Sequence, residues 1–134
     1  MMSGELDLGT LLRSLSADLV DGTYVFVTLA NGELPAGVQP RMIFQEAEGT
    51  TLIILQSEAE AHGLAFDFPC RMITLNVHSS LEAVGFIARI ATVLAAHDMG
   101  VNPVSGFFHD HLFVPLGKEE QAMALLQRIS DGAL

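Results

Sequence analysis

The chain has 134 residues, half of them hydrophobic and only 16% charged, which fits one compact unit or two very small ones and excludes a disordered chain. Sixteen acids against six bases give a net charge of −10, so repulsion makes nucleic acid and anionic membranes poor candidates as partners. The six bases stand singly (Arg13, Arg41, Arg71, Arg89, Lys118, Arg128), and no basic patch forms.

Residues 1–5 are expected to fray. Leu8, Leu11, Leu12 and Leu15 recur at helical spacing over residues 7–15, and Asp21-Gly22 breaks that pattern. Tyr24-Val25-Phe26-Val27-Thr28-Leu29 is β-branched and aromatic, and predicts a buried strand. Residues 30–40 hold Asn31-Gly32, Pro35, Gly37 and Pro40, a loop signature. Residues 42–46 and 51–56 flank Glu48-Gly49 as a hairpin. Residues 57–62 predict a short helix with Gly63 as its left-handed cap. Leu64, Phe66 and Phe68 alternate as a short strand, which Pro69 should stop.

The second half predicts a strand over 72–77, a helix over 81–98 ended by Gly100, strands over 101–107 and 112–116 around a His109-Asp110 turn, and a helix over 119–129. Ala122, Leu125, Leu126 and Ile129 share one face of the last helix. In Ser79-x-x-Glu82 the serine hydroxyl can accept from the third amide on, while the glutamate reaches back: a capping box. Leu81, Val84, Ala88, Ala91 and Ala95 line one face of the 81–98 helix, and Phe86, Ile90 and Val93 another. A helix apolar on two sides calls for two covers, and hence for pairing of units or chains.

The order β-α-β-β-α in the second half is the ferredoxin-like pattern lacking its last strand. The first half repeats it with a loop in place of the first helix. The expected fold is therefore α+β, two degenerate ferredoxin-like β-α-β-β-α-β copies packed together, divided as 1–69 and 70–134.

Cys70 has no CxxC partner, forms no internal disulfide and is expected to be a buried structural thiol in a cytoplasmic protein. The N-terminus lacks a basic stretch followed by an apolar run, so no signal peptide is expected. Residues 84–96 are too short to span a bilayer and are interrupted by Arg89. There is no Gly-rich phosphate loop, Walker motif or G-x-S-x-G, and Ser79 and Ser80 have only a sequence neighbour, His78, as a base. Neither catalysis nor a cofactor is expected. Two sites remain. Residues 78–82, where a strand feeds a helix start, offer backbone N–H groups and a partial positive charge to a small carboxylate. Alternatively, if the fold brings the end of the 72–77 strand beside the His109-Asp110 turn, then His78, His109 and His111 form a metal constellation, and the protein is a metal-binding protein or metal-dependent enzyme.

The run from Ile73-Thr74-Leu75-Asn76-Val77 through His78-Ser79-Ser80-Leu81-Glu82 and Ala83-Val84-Gly85-Phe86-Ile87-Ala88-Arg89-Ile90 to Met99-Gly100-Val101-Asn102 resembles the ACT domain. The whole chain is similar to small stand-alone tandem ACT proteins of bacteria. The resemblance implies a non-catalytic regulatory or sensing module that binds an amino acid, as a homodimer, and acts on an enzyme in trans. Carried across, the ligand residues are His78, Ser79, Ser80, Leu81, Glu82, Ala83, Val84 and, on the facing strand, Asn102. Where the family has Asp-x-x-Gly in that loop, this chain is aligned as His78-Ser79-Ser80-Leu81.

Overall fold

A computed structural model describes residues 4–30 and 33–134. The Asn31-Gly32 part of the predicted loop, and residues 1–3 of the expected frayed end, lie outside the described residues. The described residues form α1 (Leu8–Arg13), β1 (Ala17–Leu19), β2 (Tyr24–Leu29), β3 (Met42–Glu46), β4 (Gly49–Leu55), α2 (Gln56–Ala61), β5 (Asp67–Leu75), α3 (Phe86–Ala95), β6 (Asn102–Ser105), β7 (Asp110–Pro115) and α4 (Glu119–Ser130). They group into two compact units, one of Gly22–Cys70 and one of residues 4–21 together with Arg71–Leu134.

In the Gly22–Cys70 unit the strand order is β3-β4-β2, followed by the first part of β5, all antiparallel. This is the ferredoxin-like order with the loop of residues 33–41 where the first helix would stand. Val25, Val27, Leu52 and Ile54 alternate inward from β2 and β4 onto Ala59 of α2 and Val38 of the loop. Gly63, with φ +64°, follows α2 as expected. Pro69 was expected to stop the strand and does not. It lies inside β5, where Tyr24 pairs with Cys70 but Phe26 pairs with Asp67, so the partner strand carries an extra residue there. Phe68 takes a positive φ of 56° at this bulge. A bulge is where a sheet tolerates a residue with no N–H. Cys70 is fully buried, its thiol donating to the Tyr24 carbonyl at 3.3 Å.

The other unit has the order β1-β5-β7-β6, with α3 and α4 packed on the sheet. Its fourth strand is β1, which the sequence reading missed because three residues, Ala17–Leu19, carry no period. They pair with Ile73–Leu75 of β5. Residues 4–21 thus group with the second half because they complete its sheet and its core. Leu11 and Leu15, 0% and 3% exposed, pack among Phe86, Ile90, Leu94, Leu125 and Ile129. Asp7 caps α1 by accepting from the Thr10 N–H, a bond that holds its carboxyl below the usual range. On α4 the buried residues are Ala122, Leu125, Leu126 and Ile129, the face read from the sequence.

The helix expected over 81–98 begins five residues later. Residues 81–82 are a turn, and α3 starts at Phe86, after Gly85 at φ +93°. It buries one stripe, Phe86, Ile90 and Leu94 at i, i+4 and i+8. Ala88 and Ala95 are exposed, as are Leu81 and Val84 at 67% and 84%.

Candidate functional site

The loop from β5 to α3 is built differently from the expected capping box. The Ser79 hydroxyl caps no helix. It points inward, 9% exposed at the residue, and donates to Asp110 Oδ2 at 3.0 Å. The Glu82 N–H is met by Ser80 Oγ at 3.1 Å, and Glu82 itself is exposed. The loop amides are occupied: Ser79 N–H donates to Val77, Ser80 to Glu5 and Ala83 to Ser80 carbonyls. Together with Glu5 N–H on the His78 carbonyl at 2.8 Å, the Ser80 bond forms a short parallel bridge across the loop. A Cβ on Gly4 would lie 2.5 Å from the Ser79 carbonyl carbon and the Ser80 nitrogen, so only glycine allows this crossing.

Beside this loop lies a cavity of about 270 Å³, lined by Ser79, Ser80, Leu81, Ala83, the α3 start from Gly85 to Ala88, and Ser105, Gly106 and Asp110. Cavities for drug-sized ligands run about 300–1,000 Å³, so this one suits a smaller molecule. Asp110 opens β7, is 6% exposed, and is the only charged residue in the lining. Ser79 and Ser105 hydroxyls fix both its carboxylate oxygens, the latter at 2.6 Å. Opposite in sign are the first amides of α3, which have no intrahelical acceptors and carry the positive end of the helix dipole. The cavity is therefore lined by one fixed negative group and by the first turn of α3.

Of the expected ligand residues, Ser79, Ser80, Leu81 and Ala83 line the cavity. His78, Glu82, Val84 and Asn102 do not. The His78 ring packs on Phe108 with centroids 5.4 Å apart, and Asn102, on β6, pairs with Phe113 of β7. Sequence reasoning missed the two groups that give the cavity its polarity, Asp110 and the α3 start. Asp110 was read as a turn residue, yet the turn is Gly106–His109 and Asp110 already belongs to β7. The α3 start had a legible signal: an acid-x-x-glycine spacing recurs at Glu82-Ala83-Val84-Gly85, directly before Phe86.

The metal alternative fails on geometry. The end of β5 and the β6–β7 turn do lie together, but the imidazoles do not converge. His111 Nδ1 is 3.1 Å from Thr74 Oγ1 and His109 Nδ1 is 3.4 Å from the Val77 carbonyl, while His78 is held on Phe108. Among the described residues no group of three or more His, Cys, Asp or Glu could hold a metal ion.

The ACT domain family matches residues 3–71, about half of the chain, and a second ACT match covers residues 67–128. The chain belongs to the ACT domain family. It holds two ACT units in tandem, and ACT units are regulatory, ligand-binding modules. A Vibrio cholerae protein of unknown function, described as a possible transport protein, is 38% identical over 90% of this chain and 93% of its own, with a TM-score of 0.80. An Agrobacterium tumefaciens protein matches at 19% identity and TM-score 0.71, over 87% of this chain and 89% of its own. The regulatory subunit of aspartate kinase from Thermus flavus shares the fold at 9% identity and TM-score 0.58, over 86% and 95% of the two chains. No curated protein matches the chain. Among the described residues no helix is long and apolar enough to cross a membrane.

Proposed function

We propose that this tandem ACT protein is a non-catalytic sensor of a free amino acid, held in the cavity at the start of α3. The observation that carries the reading is the pairing, in one small cavity, of the buried Asp110 carboxylate with the first amides of α3. A ligand carboxylate meets the amides of Phe86, Ile87 and Ala88, and its ammonium meets Asp110. A ligand with only negative charge is repelled by Asp110, which favours a zwitterion over a keto acid or phosphate ester. Ser79, Ser80, Leu81 and Ala83 act as walls, with His78, Glu82, Val84 and Asn102 outside the first layer of contacts.

The broader reading follows the family. The protein is a cytoplasmic homodimer that acts on an enzyme in trans, and the duplication divides near 69/70 in sequence terms. Exposed Leu81, Val84, Phe107 and Phe108 support a second chain as their cover.

Differential scanning fluorimetry with each common L-amino acid tests the assignment. A ligand of about ten heavy atoms binds in the micromolar to millimolar range. At a hundredfold excess over Kd it stabilises the fold by about 2.7 kcal/mol, a melting shift on the order of 10 °C. One amino acid or a close set should produce that shift in the wild type and lose it in Asp110→Asn. If none does at concentrations up to about 100 mM, a hundredfold excess over a millimolar Kd, the sensor reading falls.

A further inference from the structure

The Gly22–Cys70 unit has its own cavity, of about 530 Å³, lined by Tyr24, Gln39, Pro40, Arg41, Leu55 and Glu58. Tyr24 opens β2 and stands in register with Leu55 at the end of β4. The Arg41 N–H donates to the Ile53 carbonyl at 2.7 Å just before β3, and Glu58 lies in the first turn of α2. Tyr24, Leu55 and Arg41 are therefore placed by the strand ends, and Glu58 by α2.

Charge makes this cavity unusual. Residues 22–70 hold one base, Arg41, against six acids (Glu33, Glu46, Glu48, Glu58, Glu60 and Asp67). In such surroundings a lone arginine would be expected to pair with a carboxylate. Among the described residues, however, the one ion pair within 4 Å is Arg71–Glu119. The Arg41 guanidinium is instead held by a neutral group. Its Nη2 donates to Tyr24 Oη at 2.8 Å, and its central carbon lies 5.6 Å from the centre of that ring. Tyr24 is 5% exposed, which makes it a firm support. A guanidinium has five N–H donors, and the Tyr24 contact uses one. Glu58 is oriented too, its Oε2 accepting from the Gln39 N–H at 3.0 Å.

We propose that this cavity is a second ligand site, separate from the one at α3, for a small zwitterion of the amino-acid class. Its carboxylate pairs with Arg41 and its ammonium with Glu58. Leu55 and Pro40 supply an apolar wall for the carbon skeleton. Arginine favours a planar carboxylate through a two-bond fork, and the six surrounding acids disfavour a bare dianion such as inorganic phosphate.

The test is a ¹⁵N-labelled full chain titrated, amide by amide, with each common L-amino acid and with propionate. At least one amino acid should move the amides of Tyr24, Gln39, Arg41, Leu55 and Glu58 along a saturating curve. Arg41→Met should weaken that response by at least about tenfold, the loss of a charge-assisted hydrogen bond, and leave responses at Ser79–Ala88 unchanged. Glu58→Gln should weaken the amino acid more than propionate. The wild-type titration decides without any variant: if no amino acid moves this set at millimolar concentration, the proposal is overturned. It is equally overturned if Arg41→Met leaves the affinity as it was. Responses at Ser79–Ala88 report on the α3 cavity separately, so either site can fail alone.

Discussion

Replacing Asp110 by alanine should cost stability as well as ligand recognition, and the structure gives the size of the cost. The carboxylate accepts from Ser79 Oγ at 3.0 Å and Ser105 Oγ at 2.6 Å. Hydrogen bonds to a charged group contribute about 1.5–3 kcal/mol each. Ser105 is exposed, so water replaces its lost acceptor and little of that value is felt. Ser79 is buried, and its hydroxyl would be left without the acceptor it now has. The expected loss in Asp110→Ala is therefore about 2–4 kcal/mol, most of it through Ser79. Asp110→Asn keeps an acceptor oxygen and should lose about 1–2 kcal/mol, because either serine can rotate to accept from the new amide. Urea denaturation of Asp110→Ala, Ser79→Ala and the double variant measures this directly. The cycle should return a coupling of about 1–3 kcal/mol between positions 79 and 110. A cost below about 0.5 kcal/mol with no coupling would refute the reasoning, and with it the view that Asp110 is a fixed group in the cavity.

Other expectations follow from the same structure. Gly4→Ala should detach the N-terminal crossing, and hydrogen exchange should show the Ser80 amide losing protection while the amides of α4 keep theirs. Burial pushes the Cys70 thiol up to about 12, so it should resist thiol reagents in the native protein at mildly alkaline pH and react on unfolding. Because an unfolded thiol ionises near pH 8.5, its contribution to stability is complete below that pH and falls as pH rises toward 12, visible as a declining urea midpoint relative to Cys70→Ala. A fragment of residues 71–134 should not fold cooperatively, since it lacks β1 and the buried Leu11 and Leu15, each contributing about 1.5–3 kcal/mol; adding a peptide of residues 4–21 should restore a thermal transition.

Strong periods were readable without a structure, and weak ones were not. The α4 face, β2 and the 42–55 hairpin came through because several residues in each repeat one spacing, and burial then follows. Three residues of β1 carry no such period; only their pairing with Ile73–Leu75 makes them a strand. Pro69 was misleading because a local rule about backbone donors was overridden by a bulge that leaves no donor needed. The misplaced start of α3 has a similar origin. Ser79-x-x-Glu82 satisfies the capping pattern, but Ser79 has a charged acceptor from a strand thirty-one residues away. That long-range bond draws the hydroxyl inward, and the helix waits for Gly85, the residue able to adopt φ +93°. The same displacement hid the candidate site, because the polarity of its cavity comes from β7 and from amides beyond the loop.

The two units have the same strand order but cannot present the same chemistry to a ligand. In the unit that contains α3, the first crossover is a ten-residue helix whose first turn lines a cavity. Positive potential there comes from the backbone and cannot be titrated away. In the Gly22–Cys70 unit the described residues of the corresponding crossover, 33–41, form a loop, so among them no helix dipole is available. A carboxylate there needs a cationic side chain, and the one base in that stretch, Arg41, is held in a cavity by a buried tyrosine. Each unit has an acid in its cavity as well, Asp110 in one and Glu58 in the other. In each unit a donor group and an acid thus line one cavity, while the parts that supply them differ. Chemically, the first site depends on helix integrity and the second on a single guanidinium. Substitutions that fray α3 should therefore spare the Arg41 cavity, and Arg41→Met should spare α3.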